Sequence, residues 1–200
     1  MNIHLPQSYT AISEAKYLNF TDLNYTVPTS GKPIRGLIQD HIIGAVLLCK
    51  KDTFLTSAEF MQLVNCAELD ECIIPHPCIL IPVKRWSGKQ VISTILRGIA
   101  GHRPGINTVS RTKLGEDVWS KTHAMEGYMT LRDNYMLTGV LDKAHIGAAD
   151  FGLFHLYHET YGPAACSSLI TALARVLTMY IQIHGFTCGL KDLVLNKRSD

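Results

Sequence analysis

Lys89 is the residue whose type and position point most directly to chemistry. It lies in Ser87-Gly88-Lys89-Gln90, where a serine followed three residues on by glutamine forms a capping box that opens a helix. The first turn of such a helix turns unpaired backbone N–H groups outward and carries the positive end of the helix dipole. A lysine there opposes the dipole, a conflict that a bound anion would relieve. The bland alternative is a solvated lysine, and the residues alone leave both open. The anion reading predicts that Lys89 projects into solvent or a channel and that Trp86, just before the cap, packs inward. A Lys89 ammonium buried against a carboxylate such as Glu59 or Asp142 would instead mark a structural ion pair.

Other candidates are weaker. Lys32, Arg35, Gln39 and Asp40 fall in one short block. The forked donors of an arginine match phosphate geometry, and a glutamine can bond a base or hold a loop. Asp40 reads more simply as a helix cap. Cys66, Cys72, His76 and Cys78 are metal-ligand types, but their spacing is not that of a common zinc module, so zinc is not expected. His155 and His158 stand three apart and could meet on a helix, an arrangement that is usually structural. No serine elbow or phosphate loop occurs, and Glu68, Asp70 and Glu71 form an acidic loop rather than a catalytic pair.

The elements that must position these groups follow from composition and pattern. Hydrophobic residues make up 46% of the 200 and charged residues 18%, which suits a folded domain. A net charge of +2 does not by itself argue for nucleic-acid binding. The six dispersed cysteines read as reduced intracellular thiols, mostly in the core. A signal peptide is not expected, because the first residues show no basic region followed by an apolar core. Nor is a simple membrane span, because Thr171, Arg175, Thr178 and Gln182 interrupt the longest apolar stretch.

Periodicity predicts a strand end at 3–5, a helix over 13–19, and a loop from Thr21 to Pro33. A helix over 41–50 follows, capped by Asp40, with Ile42, Ile43, Val46 and Leu47 as its apolar positions. Thr56-Ser57-Ala58-Glu59 is another capping box, and Phe60, Leu63 and Val64 share one face of the helix it opens. Prolines at 75, 77 and 82 make 73–83 an extended connector or a sheet edge. The helix after Ser87 is predicted to run to about Leu96, with 98–113 a long polar, mobile loop. Residues 128–131 and 135–141 read as a hairpin, and a long helix runs from Pro163 to before Gly185. The expected fold is one mixed α/β (α+β) unit, its helices packed around small sheets and hairpins.

Several blocks carry a resemblance. Met1-Asn2-Ile3-His4-Leu5-Pro6-Gln7, Thr29 through His41, Asp52-Thr53-Phe54, Leu80 through Gln90, Gly139-Val140-Leu141-Asp142-Lys143, Gly152-Leu153-Phe154-His155 and Gly185-Phe186-Thr187-Cys188-Gly189 follow in order. Together they resemble the largest subunit of multisubunit DNA-directed RNA polymerases, just after its catalytic aspartate loop. Gly-Leu-Ile-Gln-Asp-His, Gly-Val-Leu-Asp-Lys-Ala-His and the Gly-Phe-Thr-Cys-Gly ending most resemble the RNA polymerase I form.

The resemblance implies a pore domain over 1–195, with 196–200 starting the following funnel region or forming a tail. It implies that Lys89 and Gln90 lie in the channel by which nucleoside triphosphates reach the active centre, and that Arg35 and Gln39 lie near that centre. Asn2 and His4 would support the aspartate loop from behind. It further implies a nucleotidyltransferase parent that transcribes ribosomal RNA genes in the nucleolus of the nucleus. That parent uses Mg2+, which this chain does not hold, so the isolated chain is expected to be inactive. Expected partners are the other polymerase subunits, above all the second-largest, with DNA template, RNA and nucleoside triphosphates, and no membrane. The alternative is a structural module that contacts other subunits and touches no substrate.

Overall fold

Local capping decides where several of the helices begin. The computed structural model describes residues 2–114, 118–119 and 121–194. Helix α1, Tyr9–Tyr17, starts where the Ser8 hydroxyl accepts a hydrogen bond from the Ala11 N–H. It begins four residues before the expected position, because the cap lies upstream of the apolar pattern. Residues 3–5 form no strand and are exposed, having no neighbouring strand to pair with. A 3-10 turn, Thr21–Asn24, interrupts the loop that follows.

Helix α2, Asp40–Cys49, corrects two expectations. Asp40 is its first residue, not its cap; Gln39 takes the capping position at φ 51°. The fully buried residues are Gly44, Ala45, Leu48 and Cys49, while the apolar positions read from spacing are only partly buried, Ile42 and Leu47 among them packing against the core. This helix is apolar nearly all round, so periodicity could not choose its inner face.

Strand β1, Phe54–Leu55, pairs antiparallel with β2, Trp86–Ser87, and each leads into a capped helix. Both capping boxes form as expected, opening α3, Ser57–Cys66, and α4, Gly88–Ala100. Phe60, Leu63 and Val64 of α3 are buried together, as their spacing predicts. Between β1 and β2 the connector 73–83 stays irregular, crossed by a single bridge from Ile79 to Arg85. Helix α4 continues past Leu96 to Ala100, where Gly101 at φ 59° ends it.

The predicted long loop therefore starts later, and it is partly strand. Residues Thr108–Arg111 form β3, which pairs with β4, Tyr128–Arg132. Strand β5, Tyr135–Thr138, completes an antiparallel sheet in the order β3-β4-β5. Asp133 and Asn134 make the hairpin turn at φ 50° and 60°, the left-handed pair that a two-residue turn of primed type requires.

Three helices end the chain's main body: α5, Lys143–Ile146; α6, Leu153–Tyr161; and α7, Pro163–His184. A short α8, Leu190–Leu193, follows. Pro163 sits in the first turn of α7, where a missing N–H costs nothing. By length and composition α7 could cross a membrane, but its buried face packs against α2, α3, α4 and α6. Leu169, Leu173, Val176 and Leu177 form the centre of the core. At Gly44 the backbones of α2 and α7 come close: a Cβ there would lie 3.2 Å from the Leu177 carbonyl oxygen.

Two small sheets among helices make this the mixed α/β architecture the sequence predicts. Of the six cysteines only Cys49 and Cys166 are buried, whereas Cys72, Cys78 and Cys188 are exposed, so the core reading holds for a minority. Residues 196–200, expected to begin the next region, lie outside the described residues.

Candidate functional site

The turn that opens α4 is tied down by hydrogen bonds within the protein. Ser87 Oγ accepts from the Gln90 N–H at 3.3 Å, and Gln90 Oε1 accepts from the Ser87 N–H at 3.0 Å. The Gln90 amide also donates to the His76 carbonyl at 2.8 Å, tying the proline-rich connector to the helix. Gln90 therefore organises the chain around it. Trp86 packs inward as expected, stacking on Phe60 with ring centroids 5.6 Å apart and donating its indole N–H to the Pro75 carbonyl.

Two features of this turn depart from expectation. A Cβ on Gly88 would fall 1.8 Å from the Leu48 carbonyl oxygen, so the start of α4 is pressed against the end of α2. The first turn is thus partly covered rather than open. Lys89 does not project into solvent: its Nζ lies 2.8 Å from Glu126 Oε2, with side-chain exposures of 11% and 9%. Neither Glu59 nor Asp142 is the partner. Glu59 reaches back to its own cap at Thr56, whose N–H and hydroxyl hold its carboxyl below the usual range. By the criterion set above, Lys89 is a structural ion pair, and a free-cation role for it in a nucleotide channel is dropped.

The pair stands beside Cys49, whose thiol is pushed up to about 12 by burial, against smaller opposing effects of a Leu141 backbone hydrogen bond and the Lys89 charge. This thiol is not poised for reaction.

Arg35 and Gln39 occupy the approach to α2. Gly36 there abuts the backbone of Gly147 and Ala148, and the Leu37 N–H donates to the Ile146 carbonyl at 2.7 Å. The Arg35 guanidinium carbon lies 5.7 Å from the centre of the Tyr25 ring, and its Nε is buried without a hydrogen-bond partner. Gln39 is exposed, as are Asn2 and His4. Lys32 faces Asp150 at 3.6 Å. Among the described residues, no hydrogen bond or ion pair joins Lys89 or Gln90 to Arg35 or Gln39.

The remaining candidates disperse. His155 stacks on Phe151 and His158 on Tyr25, so the two histidines serve separate aromatic partners. Among the described residues, no three His, Cys, Asp or Glu side chains are grouped to hold a metal ion. Glu68 pairs with Arg175 of α7.

Sequence reasoning missed two pairs. Glu126 carries no motif and meets Lys89 only across 37 residues. Asp142 and His145 are buried together, with Asp142 Oδ1 3.0 Å from His145 Nδ1 and Oδ2 accepting from the Lys113 N–H at 2.6 Å. The Asp142 N–H also lies 3.4 Å from Nδ1, and one nitrogen cannot serve both; the shorter contact favours Nδ1–H donating to the carboxylate. An aspartate three residues before a histidine at a helix start was the available signal.

Comparison with known proteins fits this architecture. The family model described as RNA polymerase Rpb1, domain 3, matches residues 24–193, and the chain belongs to that family. Its relatives include DNA-directed RNA polymerase I subunit rpa1 of Schizosaccharomyces pombe, 43% identical over 100% of the chain, and that of Dictyostelium discoideum, 40% identical over 100%. DNA-directed RNA polymerase I subunit RPA190 of Saccharomyces cerevisiae is 39% identical over 98%. The resemblance to the polymerase I largest subunit thus extends along the whole chain. The chain spans only 12% or 13% of the length of these relatives.

Proposed function

We propose that this chain forms part of the wall of the pore through which nucleotides reach the active centre of RNA polymerase I, and that it scaffolds that centre. The parent enzyme would be a DNA-directed nucleotidyltransferase that transcribes ribosomal RNA genes in the nucleolus. The observation that carries this reading is the family match over residues 24–193 with polymerase I relatives at about 40% identity. Its magnesium ions would be held by residues outside this segment, as the resemblance to the polymerase largest subunit implies. By itself the chain polymerises nothing. Its proposed partners are the other polymerase subunits, the second-largest above all, with template, RNA and nucleoside triphosphates in the assembled enzyme.

Within the chain, the block containing the half-buried Arg35 and the exposed Gln39 is the better candidate for substrate contact, since Lys89 and Gln90 are engaged internally. Arg35→Ala and Gln39→Gly in the assembled polymerase test this; glycine suits the positive φ at position 39. Slower single-nucleotide addition with assembly intact is expected. Normal addition by both variants would overturn the role.

A second reading, a module for contacts with other subunits, has its own support. Helix α1 buries no residue, and Tyr9, Tyr17, Leu18 and Phe20 are all exposed. A run of exposed apolar side chains is a mark of an interaction surface. Loss of assembly on polar replacement of Tyr9 and Phe20, with nucleotide addition by the remaining complex unchanged, would favour it.

A further inference from the structure

The turn after α2 and the first turn of α4 face each other across a cavity of about 290 Å³. Lys50 and Lys51 line it from the turn, Lys89 from α4, and His123 and Glu126 from the 3-10 segment Lys121–Gly127. Glu126 is the one carboxylate among the described lining residues. Three ammonium groups against one carboxylate leave a formal charge of +2, before any contribution from His123.

That carboxylate is already engaged by Lys89. Lys50 reaches Asp52 only at 3.7 Å, and both side chains are well exposed, so solvent screens the pair. Lys51 has no carboxylate within 4.0 Å among the described residues. Ser87 Oγ, also on the wall, accepts from the Gln90 N–H and keeps its own hydrogen to donate. Lysines after a helix also complement the negative end of its dipole, here that of α2. That role needs no cavity and no third lysine from another helix.

We propose that this cavity binds a compact multivalent anion of the polyphosphate class, with Lys51 and Lys50 as its main contacts and Lys89 held at its edge by Glu126. The volume sits at the lower limit of ligand pockets, about 300–1,000 Å³. It suits pyrophosphate or the phosphate tail of a nucleoside triphosphate. The Glu126 carboxylate repels an anion from the Lys89 side and so directs it to the turn. A part for this cavity in nucleotide traffic rests on the pore reading above; the binding itself does not.

The test titrates the full 200-residue chain with sodium tripolyphosphate, inorganic pyrophosphate, ATP, adenosine and sulfate, read by calorimetry. Saturable binding is expected for tripolyphosphate and pyrophosphate, weaker binding for sulfate and none for adenosine. ATP binding like tripolyphosphate identifies the phosphate tail as the bound part, and pyrophosphate binding more tightly than ATP identifies the free diphosphate. The double variant Lys50→Gln/Lys51→Gln should bind about tenfold more weakly or worse, each charge-assisted contact being worth roughly that factor. Lys16→Gln/Lys84→Gln removes the same charge from exposed sites elsewhere and should bind normally. No saturable binding, or equal losses in the two double variants, would overturn the site. In the assembled polymerase, the Lys50/Lys51 variant separates the two claims. Weakened anion binding with unchanged nucleotide addition leaves the cavity standing and removes its part in the pore.

Discussion

The Lys89 ammonium is joined to the Glu126 carboxylate at 2.8 Å in a site where both side chains are nearly buried. This contact reverses the sense of the sequence signal. A lysine in the first turn of a helix suggests an unmet charge looking for an anion, but the chain supplies the anion itself. Burying two charges costs desolvation that their attraction only roughly offsets. The pair therefore fixes the 3-10 segment against α4 more than it adds stability. Glu126→Ala should destabilise the chain by about 3 kcal/mol, because it strands a buried ammonium. Lys89→Met combined with Glu126→Leu should recover most of that loss in urea denaturation. A double variant as unstable as Glu126→Ala would show that the pair itself supplies the stability.

Asp142 makes stability depend on acid. Burial raises its carboxyl pKa, but hydrogen bonds from His145, Lys113 and Ala144 outweigh this and hold it below the usual range. A depressed carboxyl stabilises the fold above its unfolded value, about 3.9, and loses that contribution as pH falls through the lower folded value. Asp142→Asn should therefore flatten the stability profile in this acid window. Parallel profiles for variant and parent would rule out the linkage.

Asn134 should be more sensitive than its turn neighbour. Its Oδ1 accepts from the Ile106 N–H at 3.0 Å and from the Tyr157 hydroxyl at 3.4 Å, and its amide donates to the Tyr161 hydroxyl at 3.0 Å. Asn134→Gly keeps the positive φ but leaves buried groups unpaired, at a cost of about 1–3 kcal/mol. Asp133→Gly, at the exposed turn position, should change stability by less than about 0.5 kcal/mol. Equal losses of melting temperature would contradict the buried network.

Gly88→Ala tests the contact between α2 and α4. The added carbon meets backbone, the Leu48 carbonyl oxygen, which cannot swing aside as a side chain can. The loss should be about 3 kcal/mol or more. Gly101→Ala, where a Cβ meets nothing within 4 Å, carries only the strain of its positive φ and should cost less. An unchanged unfolding midpoint for Gly88→Ala would mean that the two helices are not seated as described.

By itself the sequence determined whatever depends on residues a few positions apart. Thr56 with Glu59 and Ser87 with Gln90 start their helices, because a capping box needs only its own turn. Pro163 starts α7 and Gly185, at φ 74°, follows its end by the same local logic. The order of the motif blocks was equally legible, and with it the polymerase family. Tertiary structure decided what depends on partners distant along the chain. Helix α2 is apolar nearly all round, so packing against α7 through Gly44 was needed to choose its buried face. Strand β3 pairs with β4, and the pairing ladder, more than its own short sequence, makes it a strand. Glu126 finds Lys89 across 37 residues, and no local pattern encodes a contact that chain folding must bring together.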